Sequence, residues 1–406
     1  MSYSLKDLPK CYPRQVQPKI SRWLAVLVAM LVISVILMRI FGRYIDNSHF
    51  RMLAIGTPLV VWIVCFTIRM WAWSLQDSKA NGFDRRREQW ILSETRRARR
   101  ALQVLNTTFI TAHQEDEQRS VADDMLNNHS IIISQSDWKG EKSRRLSLIT
   151  AEPEDTPGLV ISRLFSELIA DLPVHQFPEN ASLVVILDVS SSLPFPAVSN
   201  IWQEAWQEAW QESGITCALE YTDSNGPGVV NHWLDHRIKD DAMLLIVGLQ
   251  IDPVVSNNTA EAAVALLLGN RLTQEALEPL ALLHRPDAAP TGELRQGMNM
   301  AAYNVPLKEN IVKNLWLAGL TGNQRAEVIA CQNAHPAQSV EDEAVISLDT
   351  SMGHAGAAAP WLVIAAATEI ARQTQLPQMI ICGDTTQNVL WSTLITPIAS
   401  RQEMDP

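Results

Sequence analysis

Side chains able to attack, ligate or carry a proton are thinly spread along this chain. The five cysteines stand at 11, 65, 217, 331 and 382. No two are close enough for a C-x-x-C metal motif, and five thiols cannot all pair within one chain. The spacing reads as reduced thiols in a reducing compartment. Asp188-Val-Ser-Ser-Ser192 follows an apolar run, where a metal or nucleotide site could begin. Serines after strands are equally ordinary turn residues. No Walker loop, dinucleotide Gly-x-Gly-x-x-Gly, H-E-x-x-H or G-x-S-x-G occurs, so no metal and no cofactor is expected. Trp202, Trp206 and Trp210 recur at every fourth position within a repeated Trp-Gln-Glu-Ala unit. That spacing lines three rings along one helix stripe. Such a stripe is either a packing surface or a docking face, and as a docking face it supplies the expected protein-binding residues.

The elements that must carry these residues alternate. Thr156-Pro157 predicts a helix start, with proline at the first helical position. Strands are predicted at 182–188, 215–221, 242–249, 261–269, 326–331, 345–348, 378–382 and 389–396. Helices are predicted at 197–213, 226–239, 305–318 and 360–373. Apolar strands set between helices indicate an α/β body with a covered sheet, expected over 151–406 in two halves, 151–250 and 251–406.

Of the 406 residues 47% are hydrophobic and 19% charged, which excludes wholesale disorder and collagen. The net charge of −11 conceals an asymmetry. Residues 1–100 hold 17 Lys and Arg against 6 Asp and Glu; the rest hold 16 against 38. An acidic body argues against nucleic acid as a partner, and a basic head suits a membrane surface.

Two apolar runs lie in that head, about 23–42 and 52–73, each long enough to cross roughly 30 Å of hydrocarbon. Trp23, Trp71 and Trp73 suit the interface, and Arg39 and Arg69 can snorkel from the segment ends. Lys6, Lys10, Arg14, Lys19 and Arg22 precede the first run. Lys79, Arg85, Arg86, Arg87, Arg96, Arg97, Arg99 and Arg100 follow the second, whereas the connecting loop has only Arg43 and Arg51. The positive-inside rule then puts both termini in the cytoplasm of an inner-membrane, multi-pass protein that contacts lipid through its N-terminal helices. Residues 1–78 form this anchor. Residues 79–150 are expected as a basic helix, from 85 to about 114, and a linker.

The C-terminal half resembles the β-ketoacyl synthases, and so implies the thiolase-like fold. The resemblance rests on Asp349-Thr-Ser-Met-Gly-His-Ala-Gly-Ala-Ala-Ala-Pro360, with Leu376-Pro377 and Gly383–Leu390 after it. Cys331-Gln-Asn-Ala-His335 and Asp241–Gly248 echo it upstream. A condensing enzyme of that family needs a cysteine at a helix N-terminus, where amides and dipole stabilise the thiolate, and two histidines. The resemblance offers His335 and His354 as those histidines and Cys217 as the nearest thiol. Counting back from Asp241 without gaps puts the nucleophile position at Tyr221, and Asp349 replaces the family's lysine. The implied site is therefore degenerate. The layout also resembles the adapter family that loads lipase effectors onto bacterial type VI secretion spikes.

Three functions fit. The first is a membrane-anchored, non-catalytic thiolase-like adapter whose partner is an effector or a secretion-complex subunit. The second is a ketosynthase-like acyltransferase of lipid metabolism, which requires Cys217 to face His335 and His354. The third is a structural subunit of an envelope complex, with Gly56 and Pro58 allowing close helix approach.

Overall fold

The computed structural model describes residues 10–41, 52–113 and 120–398, apart from short stretches in the last of these (137, 139, 141–142, 150–154, 178–181, 193–197, 216, 224–225, 255–256, 271–276, 304, 306, 308–311 and 385–387). The chain divides into two compact units, Tyr3–Thr95 and one beginning at Arg96.

The first unit contains two helices, α1 (Ile20–Phe41) and α2 (Thr57–Ala98), the second entered through a π-helical turn at Met52–Gly56. Both are long and apolar enough to cross a membrane, and almost none of their apolar windows is buried within the protein. They run antiparallel. The Trp62 indole donates to the Trp23 carbonyl at 2.7 Å, and the Phe66 ring lies stacked on Trp62 and edge-on to Trp23.

The second unit opens on β1 (Ala101–Thr111), followed by α3 (Val121–Leu126), β2 (Ile133–Ser136), β3 (Ser143–Ser147), α4 (Pro157–Ala170), β4 (Ser182–Ser190) and α5 (Val198–Glu212). Next come β5 (Ala218–Tyr221), α6 (Gly228–His232, wound on as a π turn to Arg237), β6 (Met243–Gln250), β7 (Thr259–Ala260) and β8 (Ala262–Gly269). The chain closes with β9 (Ala281–His284), β10 (Asp287–Pro290), α7 (Leu294–Tyr303), β11 (Asn314–Ala318), α8 (Gly322–Cys331), β12 (Val345–Ser347), α9 (Leu348–Ser351), α10 (Ala359–Thr374), β13 (Gln378–Asp384) and β14 (Val389–Pro397).

The same strand order occurs twice. The first half reads β5-β4-β6-β8-β1 and the second β12-β11-β13-β14-β9. Within each half, numbered along the chain, that is 3-2-4-5-1. Strands two, three and four are parallel, and strand five is antiparallel to its neighbours. The halves join where Ala101–Val104 pairs with Ala281–His284.

Alternate residues of a strand face opposite sides, so each strand feeds two cores. Val184, Ile186, Leu244, Ile246, Val264 and Leu266 join Trp316, Ile346, Ile380 and α10 in the central core. Leu183, Val185, Leu245 and Val247 pack outward with α4 and α5. Leu315, Leu317, Met379 and Ile381 pack outward with α7 and α8. The result is five layers, helix–sheet–helix–sheet–helix. Helix α10 is buried on nearly every side between the two halves of the sheet, hence its Ala-rich, all-round apolar sequence. Its N-cap position lacks a side-chain hydrogen bond, and it ends at Gln375 in the left-handed conformation.

Four expectations are corrected. The helix and linker expected over 79–150 give way to elements of the body: α2 ends at Ala98, and Ala101–Thr111 is already a strand. Helical spacing through Leu102 and Leu105 was accidental; burial between β8 and β9 and the β-prone run Thr107-Thr-Phe-Ile-Thr111 decide the outcome. The halves therefore meet after β8, not at 250. The helix expected at 305–318 does not include Asn314–Ala318, which inserts as a parallel strand between β12 and β13. Residues 326–331 are the end of α8, which a Thr321–Gln324 capping box starts.

Candidate functional site

In an open α/β sheet, ligands bind beyond the carboxyl ends of the strands. In the first half that rim is formed by the ends of β4 and β6 and by residues 353–358, which lead into α10. Ser190, at the end of β4, donates its hydroxyl to Gln250 Oε1 at 3.0 Å and accepts the Ala357 amide at 3.2 Å. Gln250, at the end of β6, donates Nε2 to the carbonyls of Ala260 and His354, each at 2.7 Å. His354 uses its backbone in a bridge to Thr259, and its Nδ1 accepts from the Gly356 amide at 3.1 Å. One turn into α10, the Trp361 indole donates to Asp188 at 3.0 Å.

This network explains the run of small residues. Gly356 has φ +51°, and a Cβ there would stand 1.7 Å from Gln250 Oε1 and 2.6 Å from Ser190 Oγ. Gly248 lies under the Trp361 ring, where a Cβ would meet Cδ1 at 2.9 Å. The amides that lead into α10 are thus already occupied by Ser190 and His354. Asp188 and Ser190, from the serine-rich turn, serve in these bonds, and the described residues contain no cluster of three or more metal-ligating side chains.

Asp349 stands where the resemblance has a lysine. Its two oxygens accept the Gly319 and Leu320 amides, both at 2.9 Å, beyond the carboxyl end of β11, with Arg325 at 3.7 Å. It is a loop-fixing carboxylate. Close by in the first half, Glu261 is wholly buried and accepts from the Trp138 indole at 2.6 Å and from the Asp252 and Ile149 amides. Burial pushes this carboxyl up, and those three donors pull the other way.

The proposed catalytic side chains are not brought together. Cys217 precedes β5, whose Ala218 pairs with Ser182 at the start of β4, the end of the sheet opposite Ser190. Eight residues of strand at ~3.3 Å each put roughly 26 Å between the two levels. Burial also raises the Cys217 thiol. His335 follows α8 beside the amino end of β11, where Val312 bonds Pro336; Asp349, five residues before His354, is fixed at the carboxyl end. No cysteine starts a helix: Cys11 lies in the N-terminal segment, Cys65 inside α2, Cys331 at the end of α8 and Cys382 within β13. Tyr221 ends β5, and the following helix starts at Gly228 behind Pro227.

Nor do Trp206 and Trp210 form an exposed face. Trp206 and Trp210 are buried, stacked at 6.2 Å, with Phe165 edge-on to Trp206 at 5.3 Å. The stripe packs α5 against α4, and both rings are removed as docking anchors. The Trp202 side chain lies outside the described residues.

Sequence reasoning missed one further cluster. Asp235 accepts Arg97 through two bonds of 2.8 Å and Arg285 at 2.6 Å, while Arg100 donates to the Leu234 carbonyl. The hydrogen bonds from Arg97, then Arg285, hold Asp235 far below the usual carboxylate range despite burial. Its three members are far apart in the chain, so no local motif announced them.

No protein-family model and no curated protein matches this chain by sequence. Solved structures do match by shape. The PfaC keto synthase–chain length factor is 11% identical with a TM-score of 0.53, over 74% of this chain and 43% of that one. The ishigamide ketosynthase/chain length factor is 12% identical with a TM-score of 0.52, over 74% of this chain and 100% of the other. The chain thus spans somewhat under half the length of the first of these, 43%. At these identities the likeness is one of fold: the body is α/β and thiolase-like.

Proposed function

We propose that this chain is a membrane-anchored, non-catalytic thiolase-like protein that acts as an adapter or binding module. The observation that carries the reading is that none of the five cysteines begins a helix, while the strand-end rim is closed by the Ser190–Gln250–His354 network. A condensing reaction needs a thiolate poised on helix amides. Cys217, the thiol nearest in sequence to the nucleophile position, stands at the opposite end of the sheet. The two apolar helices, with the arginine-rich flanks, support an inner-membrane hairpin with both ends in the cytoplasm. A type VI secretion effector is the cargo that the overall layout suggests.

The test has two arms. Full-length protein incubated with acyl thioesters should show no acyl adduct by intact mass, and it should stay in the pellet after carbonate extraction. Deleting the gene should then abolish export of an effector and leave acyl-chain synthesis unchanged. Stoichiometric acylation of Cys217 would instead establish the acyltransferase reading.

A further inference from the structure

The N-terminal unit holds a cleft of about 330 Å³ between residues 12–15 and one face of α2 from Trp73 to Ala80. That volume is in the range of small-molecule sites. The N-terminal segment is bound along α2 and runs antiparallel to it. Tyr12 N–H donates to Asp84 at 3.1 Å, Arg14 pairs with the same carboxylate at 3.0 Å, and the Trp73 indole donates to the Gln15 carbonyl at 3.4 Å. Ala80 is buried beneath it.

The cleft's level follows from helix geometry. The apolar run on α2 reaches Trp73, with Arg69 near its end. At ~1.5 Å per residue, Asp77 stands roughly 6 Å beyond Trp73 and Lys79 roughly 9 Å. The polar zone on each side of a bilayer is about 5–8 Å deep. Given the membrane-anchored reading, on which this inference rests, the mouth of the cleft opens among lipid head groups.

Its chemistry is mixed in sign. Arg14 gives one nitrogen to Asp84 and keeps 59% of its side chain exposed. Lys79 has its ammonium 5.8 Å over the Tyr12 ring and is exposed. Asp77 accepts from Asn81 through one oxygen. Two cations suit a phosphodiester, by a guanidinium fork and a point charge. A carboxylate beside them suits an ammonium and disfavours a purely anionic head group. We propose that this cleft binds one amine-bearing phospholipid, its phosphodiester held by Arg14 and Lys79 and its ammonium by Asp77.

The experiment is native mass spectrometry of the full chain in detergent with equimolar phosphatidylethanolamine, phosphatidylglycerol and phosphatidylcholine. One phosphatidylethanolamine per chain should be retained in preference to the others. Lys79→Gln, which removes an exposed group and leaves the Arg14–Asp84 pair intact, should weaken retention of every phospholipid about tenfold. Asp77→Asn should abolish the preference for the amine over phosphatidylglycerol. Equal retention of all three lipids, or variants that behave as the parent, would overturn the proposal. Inorganic phosphate at millimolar concentration should not displace the lipid; displacement sensitive to Lys79→Gln would make this a free-anion site and refute the lipid. Carbonate extraction separates the two failures. Protein washed from membranes defeats the anchor reading along with this one, whereas protein retained without a bound lipid defeats this one alone.

Discussion

Replacing Trp206 with alanine separates a core stripe from a docking stripe. The ring is fully buried, edge-on to Phe165 and stacked with Trp210. A large aromatic removes about 150–250 Å² from water. At ~25 cal/mol per Å² that is about 4–6 kcal/mol, of which alanine keeps a part. Burial of this kind therefore predicts a loss of about 3–5 kcal/mol, because the surrounding residues relax only partly into the void. At ~2 °C per kcal/mol for a body of this size, the melting temperature should fall by about 6–10 °C. Trp206→Phe is the control. The indole nitrogen has no hydrogen-bond partner among the described residues, so phenylalanine gives up volume but no bond. It should cost about 1–1.5 kcal/mol. Full-length protein in detergent, melted by near-ultraviolet circular dichroism, reads both variants. If the alanine variant melts as the parent does and loses a bound partner, the packing account is refuted.

Other outcomes follow from charge and close approach. His284 is buried on β9 beside Thr396, and burial depresses it from 6.5 to about 4. The unfolded chain then binds this proton first, so stability present above pH 6.5 is lost as pH falls toward 4; His284→Gln should flatten roughly 3 kcal/mol of that slope in melts across the range. Asp235→Ala leaves Arg285 and Arg97 facing each other, with 15% and 43% of their side chains exposed. Breaking a buried pair costs about 3–5 kcal/mol; solvent around Arg97 reduces this to roughly 2–3 kcal/mol, measurable by denaturant titration. Gly356→Ala places a methyl group against Gln250 and strains a positive φ, and should lower the melting temperature more than Gly322→Ala, where nothing lies within 4 Å. Cys382 is wholly buried and pushed up to about 12, so iodoacetamide should label it only after unfolding. Reporter fusions after residues 46 and 110 should report opposite compartments if the hairpin is inserted with both ends inside.

The repeated architecture was largely legible because apolar runs such as Met243–Gln250 and Ala262–Gly269 need both faces covered, and every residue in them is buried. The Thr156 cap and Pro157 start α4 where the sequence placed a helix. Boundaries failed where two signals overlapped. Leu102 and Leu105 continued the helical spacing of α2 across Arg99-Arg100, although the chain there turns into a strand. Thr321-Gly-Asn-Gln324 is a capping box in plain view, and it outweighs the likeness of Cys331–His335 to a strand end. The site was less legible still. Ser190 lay within the flagged serine run, but Gln250 looked like any strand-terminal residue. Its role emerges only when residues 354–358 come within reach of its amide, about 100 residues away.

Strand β1 sets a schedule for the growing chain. Its residues Gln103–Thr111 pair with Ala262–Gly269, so the first strand made must wait for more than 150 further residues before its principal neighbour exists. At about 5–20 residues per second, the ribosome needs roughly 8–30 s to supply it. Throughout that interval Leu102 and Val104 lack the β8 residues of the core they will enter. The order of synthesis is thereby fixed: α1 and α2 are made first, and β1 stays without its principal neighbour until β8 emerges. Moving β1 to follow β14 by circular permutation would remove that long delay without altering any strand pairing.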